Sequence, residues 1–154
     1  MEGSPHQPDN DLLNLLNFVS LLPPSTSAEL ESKSVTFGDI TRHKTLILDL
    51  DETLIHSRPL LGEYVESKDK FVIEIGESKN IRFEVTMRPH IKKIVEELSQ
   101  YYEIAVFTAA ESEYANAIID GIDPEKKLFD RNKLLHRSHC IARDTCLVKD
   151  LNII

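Results

Sequence analysis

One stretch near the middle of the chain constrains the fold more than any other. Residues 45–50, TLILDL, place apolar side chains at successive positions instead of alternating ones. Such a run is typical of a central strand of a parallel sheet, buried on both faces. Three acidic residues, Asp49, Asp51 and Glu52, close the run. Because ligands of open parallel sheets bind at the carboxyl ends of the strands, the sequence predicts a polar site here.

The segments that follow predict an α/β protein. KFVIEI (70–75) and IRFEVTM (81–87) alternate with period two and predict an inserted β-hairpin. A helix with Pro89 in its first turn is expected next, and then YEIAVFTAA (102–110) as a second buried strand. Ser112 is the predicted cap of a further helix, whose apolar face includes Tyr114 and which Gly121 and Pro124 end. This order implies right-handed parallel crossovers.

Composition limits the classes of function. The formal net charge is −8, with 26 acidic and 18 basic residues, which argues against direct nucleic-acid binding. Cys140 and Cys146 follow no apolar signal segment, so an intracellular location, in the nucleus or the cytoplasm, is expected. No run approaches transmembrane length, so a membrane protein is not expected.

The first 43 residues differ from the rest in composition and are predicted to form a flexible arm. Within it, DLLNLLNFVSLL (11–22) predicts a short helix capped by Asp11 and ended by Pro23 and Pro24. The leucines of this helix either dock a partner or pack back on the domain, which is predicted to span residues 44–154.

The spacing of Asp49 and Asp51 points to a cation. In an extended chain, residues two apart face the same side, and two close carboxylates repel each other unless a positive charge lies between them. Mg²⁺ is the natural candidate, since it is held by one or two carboxylates together with phosphate oxygens and water. The alternative is a solvated turn that begins at Asp51.

These residues belong to a recognisable pattern. DLDET (49–53) resembles the D-x-D-x-[T/V] signature of haloacid-dehalogenase-type phosphotransferases, and LDLDETLIHS (48–57) resembles their FCP/SCP branch, the NLI-interacting-factor-like small C-terminal-domain phosphatases. MRPH (87–90), VFTAA (106–110) and LVKDL (147–151) stand in the order that this branch shows. The resemblance implies a Rossmann-like parallel sheet with an inserted hairpin. It also implies Mg²⁺-dependent dephosphorylation of phosphoserine and phosphothreonine in proteins, which in the best-known members include the RNA polymerase II C-terminal repeats.

The resemblance also implies roles for single residues. Asp49 would be the nucleophile that forms an aspartyl-phosphate and a ligand of Mg²⁺, while Asp51 would act as general acid and base and offer its carbonyl to the metal. Thr108 would donate to a phosphoryl oxygen, Lys149 would offset negative charge, and Thr53 would shape the loop.

Several polar residues have other interpretations. Thr108 alone could satisfy a backbone group, and Lys149 alone reads as a surface lysine. Arg88 either lies near the site or braces the hairpin and is left out of the catalytic set. His56, on the turn after the motif, has no assigned role. A zinc site is the competing interpretation of HRSHCIARDTC (136–146), but the spacing of its Cys and His residues is weak evidence for one. The resemblance implies a strand and loop here that lead to the lysine, with the two cysteines as packing residues.

The sequence departs from the family pattern at its end. Family members carry, after the lysine, a further strand that ends in an acidic pair and completes the metal site, whereas this sequence ends at Ile154. The expectation is therefore a domain over residues 44–154 that is incomplete at its C-terminus, with part of the sheet missing. The alternative function is a catalytically impaired phosphoprotein-binding or scaffold fragment.

Overall fold

The computed structural model describes residues 10–65 and 67–154. It contains four α-helices and eight strands over these residues. The helices are α1 (Asn10–Ser20), α2 (Ser27–Lys33), α3 (Ile91–Leu98) and α4 (Ser112–Ile122). The strands are β1 (Thr45–Leu48), β2 (Ile55–Pro59), β3 (Lys70–Ile75), β4 (Ile81–Met87), β5 (Glu103–Phe107), β6 (Leu134–Leu135), β7 (Ile141–Ala142) and β8 (Leu147–Val148). Single 3₁₀ turns lie at Arg131–Lys133, Arg137–His139 and Leu151–Ile153.

The parallel sheet has the order β1-β5-β6. Leu46 pairs with Ile104, and Val106 pairs with Leu134, both in parallel register. All five residues of β5 are buried, as its apolar run predicts. The α/β fold class is confirmed. Within the described residues β1 lies at an edge of the sheet instead of its centre, so its four residues are only half-buried.

A second sheet is antiparallel, with the order β2-β4-β3. Its β3-β4 hairpin confirms the predicted one, with Phe71 opposite Val85 and Ile73 opposite Phe83. The third strand, β2, was not predicted, and His56 therefore lies on a strand and not on a turn. Only Ile55 of β2 is buried, and Pro59 at its end is tolerated because β2 is an edge strand.

Helices α3 and α4 differ from the prediction at their ends. Helix α3 begins at Ile91, after Pro89, because His90 adopts the left-handed conformation with φ 65°. Helix α4 begins at Ser112, so Glu111 and not the predicted Ser112 occupies the cap position. It ends at Ile122, so Gly121 lies inside it. A Cβ at Gly121 would stand 2.5 Å from Cδ2 and 2.6 Å from Cζ of Phe71. The glycine therefore lets strand β3 pack directly against helix α4.

Two groups of buried apolar residues form the core. The larger one lies between the two sheets and helices α3 and α4 and includes Leu54, Val85, Val95, Ile118 and Ile119. The smaller one covers the other face of β5 and includes Phe37, Ala105, Phe107, Leu135, Cys140 and Ile153. Thr108, which follows β5 directly, is also buried.

A buried ion pair lies at the amino end of β5. Lys133 Nζ is 2.6 Å from Glu103 Oε2, and both side chains are almost fully buried. The other carboxylate oxygen of Glu103 accepts hydrogen bonds from Thr41 Oγ1 and the Arg42 amide, each at 2.8 Å. The bond from Lys133 is the largest cause that lowers the pKa of Glu103 to about 2. Glu103 thus fixes residues 41–42 and the turn at Lys133 to the sheet.

The predicted division of the chain at residue 44 stays a prediction, but the described part of the predicted arm makes definite contacts. Thr26 caps α2 in a capping box with Glu29, which also pairs with Arg143 at 2.7 Å. The Val35 amide donates to the carbonyl of Ile153 at 2.8 Å.

Helix α1 confirms the helix expected in the arm. Its leucines from Leu13 onward, with Phe18 and Val19, are exposed. Asp11 lies within α1, and its side chain falls outside the described residues. Among the described residues, none of the helices has the length and apolar character that a membrane span requires.

Candidate active site

The acidic residues lie on a tight loop between β1 and β2. The carbonyl of Leu50 accepts the amides of Leu54 at 2.8 Å and Ile55 at 3.2 Å, and Glu52 has φ 59°. From the end of β4, the Arg88 guanidinium donates to the carbonyl of Glu52 at 2.9 Å and to that of Thr53. Arg88 therefore braces the loop that carries the acidic residues. Of the two positions that the sequence left open for Arg88, near the site or bracing the hairpin, these contacts correspond to the first.

Asp49 is paired with the predicted lysine. Lys149 Nζ, just after β8, lies 2.6 Å from Asp49 Oδ1 and 3.2 Å from the carbonyl of Phe107. Thr53 Oγ1 lies 3.4 Å from Asp49 Oδ2. The pair is about one-third exposed, so a ligand can approach it from solvent.

Asp51 is held by two hydroxyl groups. Thr108 Oγ1 donates to Asp51 Oδ2 at 3.2 Å, and the Tyr114 hydroxyl donates to Oδ1 at 2.8 Å. The Tyr114 hydroxyl also lies 2.6 Å from Ser57 Oγ. Burial is the main cause that raises the pKa of Tyr114 above its ordinary value, so this group stays a neutral donor.

The four residues predicted as catalytic thus lie in one network at the carboxyl ends of β1 and β5. Asp49 contacts Lys149, Asp51 contacts Thr108, and the carbonyl of Phe107 connects the lysine to the strand that ends at Thr108. Their chemical roles stay predictions.

A cleft of about 470 Å³ opens beside Asp51. Tyr114, Phe83 and Arg137 line it, and the ring of Phe83 meets that of Tyr114 edge-on with centroids 5.6 Å apart. Sequence reasoning missed Tyr114 and Arg137 as site residues. Tyr114 was assigned to the apolar face of α4. The signal that could have identified it is its position six residues after Thr108, one turn into a helix that starts at the mouth of β5.

The donor atoms at this site fit a hard cation with few protein ligands. Asp49 and Asp51 offer carboxylate and carbonyl oxygens, the ligand type that Mg²⁺ prefers. Within residues 10–65 and 67–154, no group of three or more His, Cys, Asp or Glu side chains is placed to hold a metal ion. Two carboxylates and a carbonyl suit an ion that keeps several waters and binds phosphate oxygens, which is usual for Mg²⁺.

The Cys and His residues of the segment 136–146, the alternative zinc site, lie in packed surroundings. The rings of His136 and His139 meet edge-on with centroids 4.5 Å apart, and burial is the main cause that lowers the pKa of His136. Cys140 is buried in the smaller core group, where burial raises the pKa of its thiol. Cys146 is half-buried and free.

Comparisons with known proteins agree with this architecture. Residues 44–154 match the family model described as NLI interacting factor-like phosphatase. The chain is 37% identical over 110 residues to nuclear envelope morphology protein 1 of Schizosaccharomyces pombe, a match that covers 71% of this chain and 22% of that protein. It is 36% identical over 120 residues to CTD nuclear envelope phosphatase 1B of Danio rerio, covering 73% of this chain and 47% of the relative.

A solved structure shares the fold. The fission yeast RNA polymerase II CTD phosphatase bound to beryllium fluoride matches with a TM-score of 0.50 at 20% identity, covering 87% of this chain and 35% of that one. The chain thus spans less than half the length of these similar proteins. With a family model that matches residues 44–154 and relatives more than one-third identical, the chain belongs to the NLI interacting factor-like phosphatase family.

Proposed function

We propose that this domain is a Mg²⁺-dependent phosphoserine and phosphothreonine protein phosphatase that works through an aspartyl-phosphate on Asp49. One observation carries the proposal: Asp49 lies 2.6 Å from Lys149 while Asp51, two residues on, is oriented by Thr108 and Tyr114. A nucleophile and an acid or base thereby stand side by side, each with its own supporting contacts.

The reaction takes two steps. A carboxylate oxygen of Asp49 attacks phosphorus, the bond from phosphorus to the serine or threonine oxygen breaks, and Asp51 gives its proton to that oxygen. A water molecule then attacks the phosphorus of the aspartyl-phosphate and passes its proton to Asp51, which releases phosphate and regenerates Asp49. Mg²⁺, held by Asp49 and Asp51, supplies positive charge to the phosphoryl oxygens when bound.

The surrounding residues assist by charge and position. Lys149 offsets the negative charge that gathers when a phosphoryl group approaches Asp49, and Thr108 offers its hydroxyl to a phosphoryl oxygen. Tyr114 orients the carboxyl group of Asp51 through the hydrogen bond that its hydroxyl donates. Thr53 and Arg88 hold the loop that carries both aspartates.

The open cleft beside Asp51 suits an extended peptide better than a small metabolite enclosed by protein. The substrate class is therefore a phosphorylated protein. RNA polymerase II C-terminal repeats are one candidate, because one human relative, 36% identical over 100 residues, is a phosphatase named for the C-terminal domain of RNA polymerase II. A nuclear or cytoplasmic location fits such substrates.

The test compares the protein with Asp49→Asn, and with Asp39→Asn as a control in which an exposed aspartate is changed in the same way. We expect phosphate release from a phosphoserine peptide to need Mg²⁺, to stop with chelator, and to fall at least about a hundredfold in Asp49→Asn only. Rapid quenching with ³²P-labelled peptide should trap a protein-bound label that hydroxylamine removes.

Equal release by the protein and Asp49→Asn would refute the proposal. Tight binding of the phosphopeptide by a folded protein with neither release nor trapped label would favour the alternative, a domain that binds phosphoproteins or acts as a scaffold.

A further inference from the structure

A second cleft carries a concentration of positive charge. It has a volume of about 520 Å³ and lies between the chain before β3 and the start of α3. Its lining includes five basic side chains and a single acidic one. The basic residues are Lys68, Arg88, His90, Lys92 and Lys93, and the acidic one is Asp69. This balance contrasts with the net charge of −8 of the whole chain. We call this site the basic cleft.

The basic cleft adjoins the candidate active site. Arg88, in its lining, donates to the carbonyls of Glu52 and Thr53, and Thr53 contacts Asp49. A smaller cleft of about 210 Å³ contains Thr53 and shares Met87, Arg88 and Pro89 with the basic cleft. A peptide bound at Asp49 can therefore continue over this surface into the basic cleft.

The charges of the basic cleft are little compensated. Arg88 donates its hydrogen bonds to backbone carbonyls, which carry no net charge and so do not neutralise the guanidinium. Lys68 and Lys92 form no ion pair with the described residues, and Lys93 reaches Glu97 only at 3.7 Å across an exposed helix face. Charges left without a partner attract an anion most strongly where a cleft partly excludes water.

Another cleft with basic residues differs in this respect. It has a volume of about 480 Å³ and lies at the amino end of β5, away from Asp49. Five cations line it: Arg42, Lys126, Lys127, Arg131 and Lys133. Three of them have a carboxylate partner, Glu125 for Lys127, Asp120 for Arg131 at 2.7 Å and Glu103 for Lys133 at 2.6 Å, whereas Arg42 and Lys126 form no ion pair with the described residues. The cations of this cleft are thus more compensated than those of the basic cleft, where Lys93 alone pairs with a described carboxylate.

We propose that the basic cleft binds a second phosphorylated or acidic residue of the same protein substrate whose phosphoserine or phosphothreonine is presented to Asp49. This inference rests on the proposed function and adds a preference: multiply phosphorylated or acidic segments are better substrates than isolated phosphoserines. The overall acidity of the chain would favour basic targets, but the local charge beside the site is the larger influence because electrostatic attraction is screened over about 10 Å.

The test uses two matched pairs of charge reversals. Lys92→Glu/Lys93→Glu changes the basic cleft, and Lys126→Glu/Lys127→Glu changes an exposed lysine pair in the other cleft by the same total charge. Each pair contains one lysine with an exposed carboxylate partner, Lys93 or Lys127. Glutamates in the first turn of α3 are favourable for the helix, so the first variant should fold.

The substrates are a phosphoserine peptide and a series that adds a second phosphoserine two to six residues away, a span of roughly 7–20 Å in an extended chain. We expect Lys92→Glu/Lys93→Glu to raise KM about tenfold for the best doubly phosphorylated peptide and less than twofold for the single one, as exposed charge pairs predict. Lys126→Glu/Lys127→Glu should change neither KM. Higher salt should reduce the preference for the double peptide.

A binding measurement separates this inference from the proposed function. Fluorescence anisotropy of the labelled doubly phosphorylated peptide, with the two pairs made in the Asp49→Asn background, needs no turnover. If no peptide is hydrolysed, the proposed function fails, whereas a selective loss of binding in Lys92→Glu/Lys93→Glu still supports the basic cleft. Equal binding by both pairs, or loss only in Lys126→Glu/Lys127→Glu, overturns the proposal.

Discussion

Replacing Lys133 with methionine should destabilise the domain far more than the same change at an exposed lysine. The Lys133 side chain is 7% exposed and its partner Glu103 is 9% exposed, with 2.6 Å between the charged atoms. Methionine keeps most of the side-chain volume but removes the charge. Glu103 is then left buried with hydrogen bonds from Thr41 and Arg42 only.

The pKa of Glu103 indicates how much unfolding free energy Lys133→Met should lose. The pKa of Glu103 falls from 4.5 to about 2, and the hydrogen bond from Lys133 is the largest of several causes. Each pKa unit corresponds to about 1.4 kcal/mol, so the partners of the folded carboxylate contribute about 3 kcal/mol. The pKa of Lys133 is raised by the same interaction, so the two shifts reflect a single free energy. Removing one partner of a buried ion pair lowers the free energy of unfolding by about 3–5 kcal/mol. The hydrogen bonds that Glu103 keeps with Thr41 and Arg42 favour the lower end of this range.

The pH dependence gives this prediction its signature. Because the folded-state pKa of Glu103 is depressed, its stabilisation is fully present above about pH 4.5 and is lost as the pH falls towards 2. The difference in unfolding free energy between the protein and Lys133→Met should therefore be about 3 kcal/mol at pH 7 and should shrink below pH 4.5.

Urea unfolding at a series of pH values measures this difference, and at neutral pH the melting temperature should fall by roughly 6–12 °C. Lys127→Met is the matched control, because Lys127 is 73% exposed and its partner Glu125 is 68% exposed. Exposed pairs contribute less than about 1 kcal/mol. Equal losses in the two variants, or a loss in Lys133→Met that does not change with pH, would refute the reasoning.

Two further predictions concern helix α4. Tyr114→Phe removes a donor to Asp51 and should lower kcat about tenfold or more, whereas Tyr101→Phe, at an exposed tyrosine, should leave phosphate release unchanged; similar rates in both would contradict the role of Tyr114. Gly121→Ala should lower the unfolding free energy by about 1 kcal/mol, because overlap with Phe71 exceeds the gain in helix propensity. In a Phe71→Leu background the same change should be neutral or stabilising, and thermal unfolding of the four proteins checks this.

The parallel core and the position of the site could be predicted because each rests on a local pattern. Unbroken apolar runs identify β1 and β5, and strand ends in parallel sheets gather whatever side chains follow them. Asp49 and Thr108 could therefore be assigned to one place although they lie far apart in the chain. Lys149 was assigned by motif, since a lone lysine carries no such pattern.

The features that could not be predicted depend on distant partners. Strand β2 has one buried residue, Ile55, and forms because β4 offers it a free edge. Gly121 was expected to end a helix, as glycines often do, but its neighbour Phe71 lies 50 positions earlier in the chain, and sequence spacing does not reveal such contacts. Tyr114 was placed on an apolar face correctly, yet the position of its hydroxyl group depends on Asp51.

Hydrogen bonds join the segment around α2 to the last residues of the chain, and they bear on which residues form one structural unit. The family model matches residues 44–154 and so begins at residue 44. Yet Ser25 donates to Asp150 at 2.6 Å, and the Val35 amide donates to Ile153. Asp150 directly follows Lys149, the partner of Asp49. The stretch that the family model matches is therefore shorter than the stretch joined by these contacts, and the residue that follows Lys149 is bound by a serine that the family match leaves out.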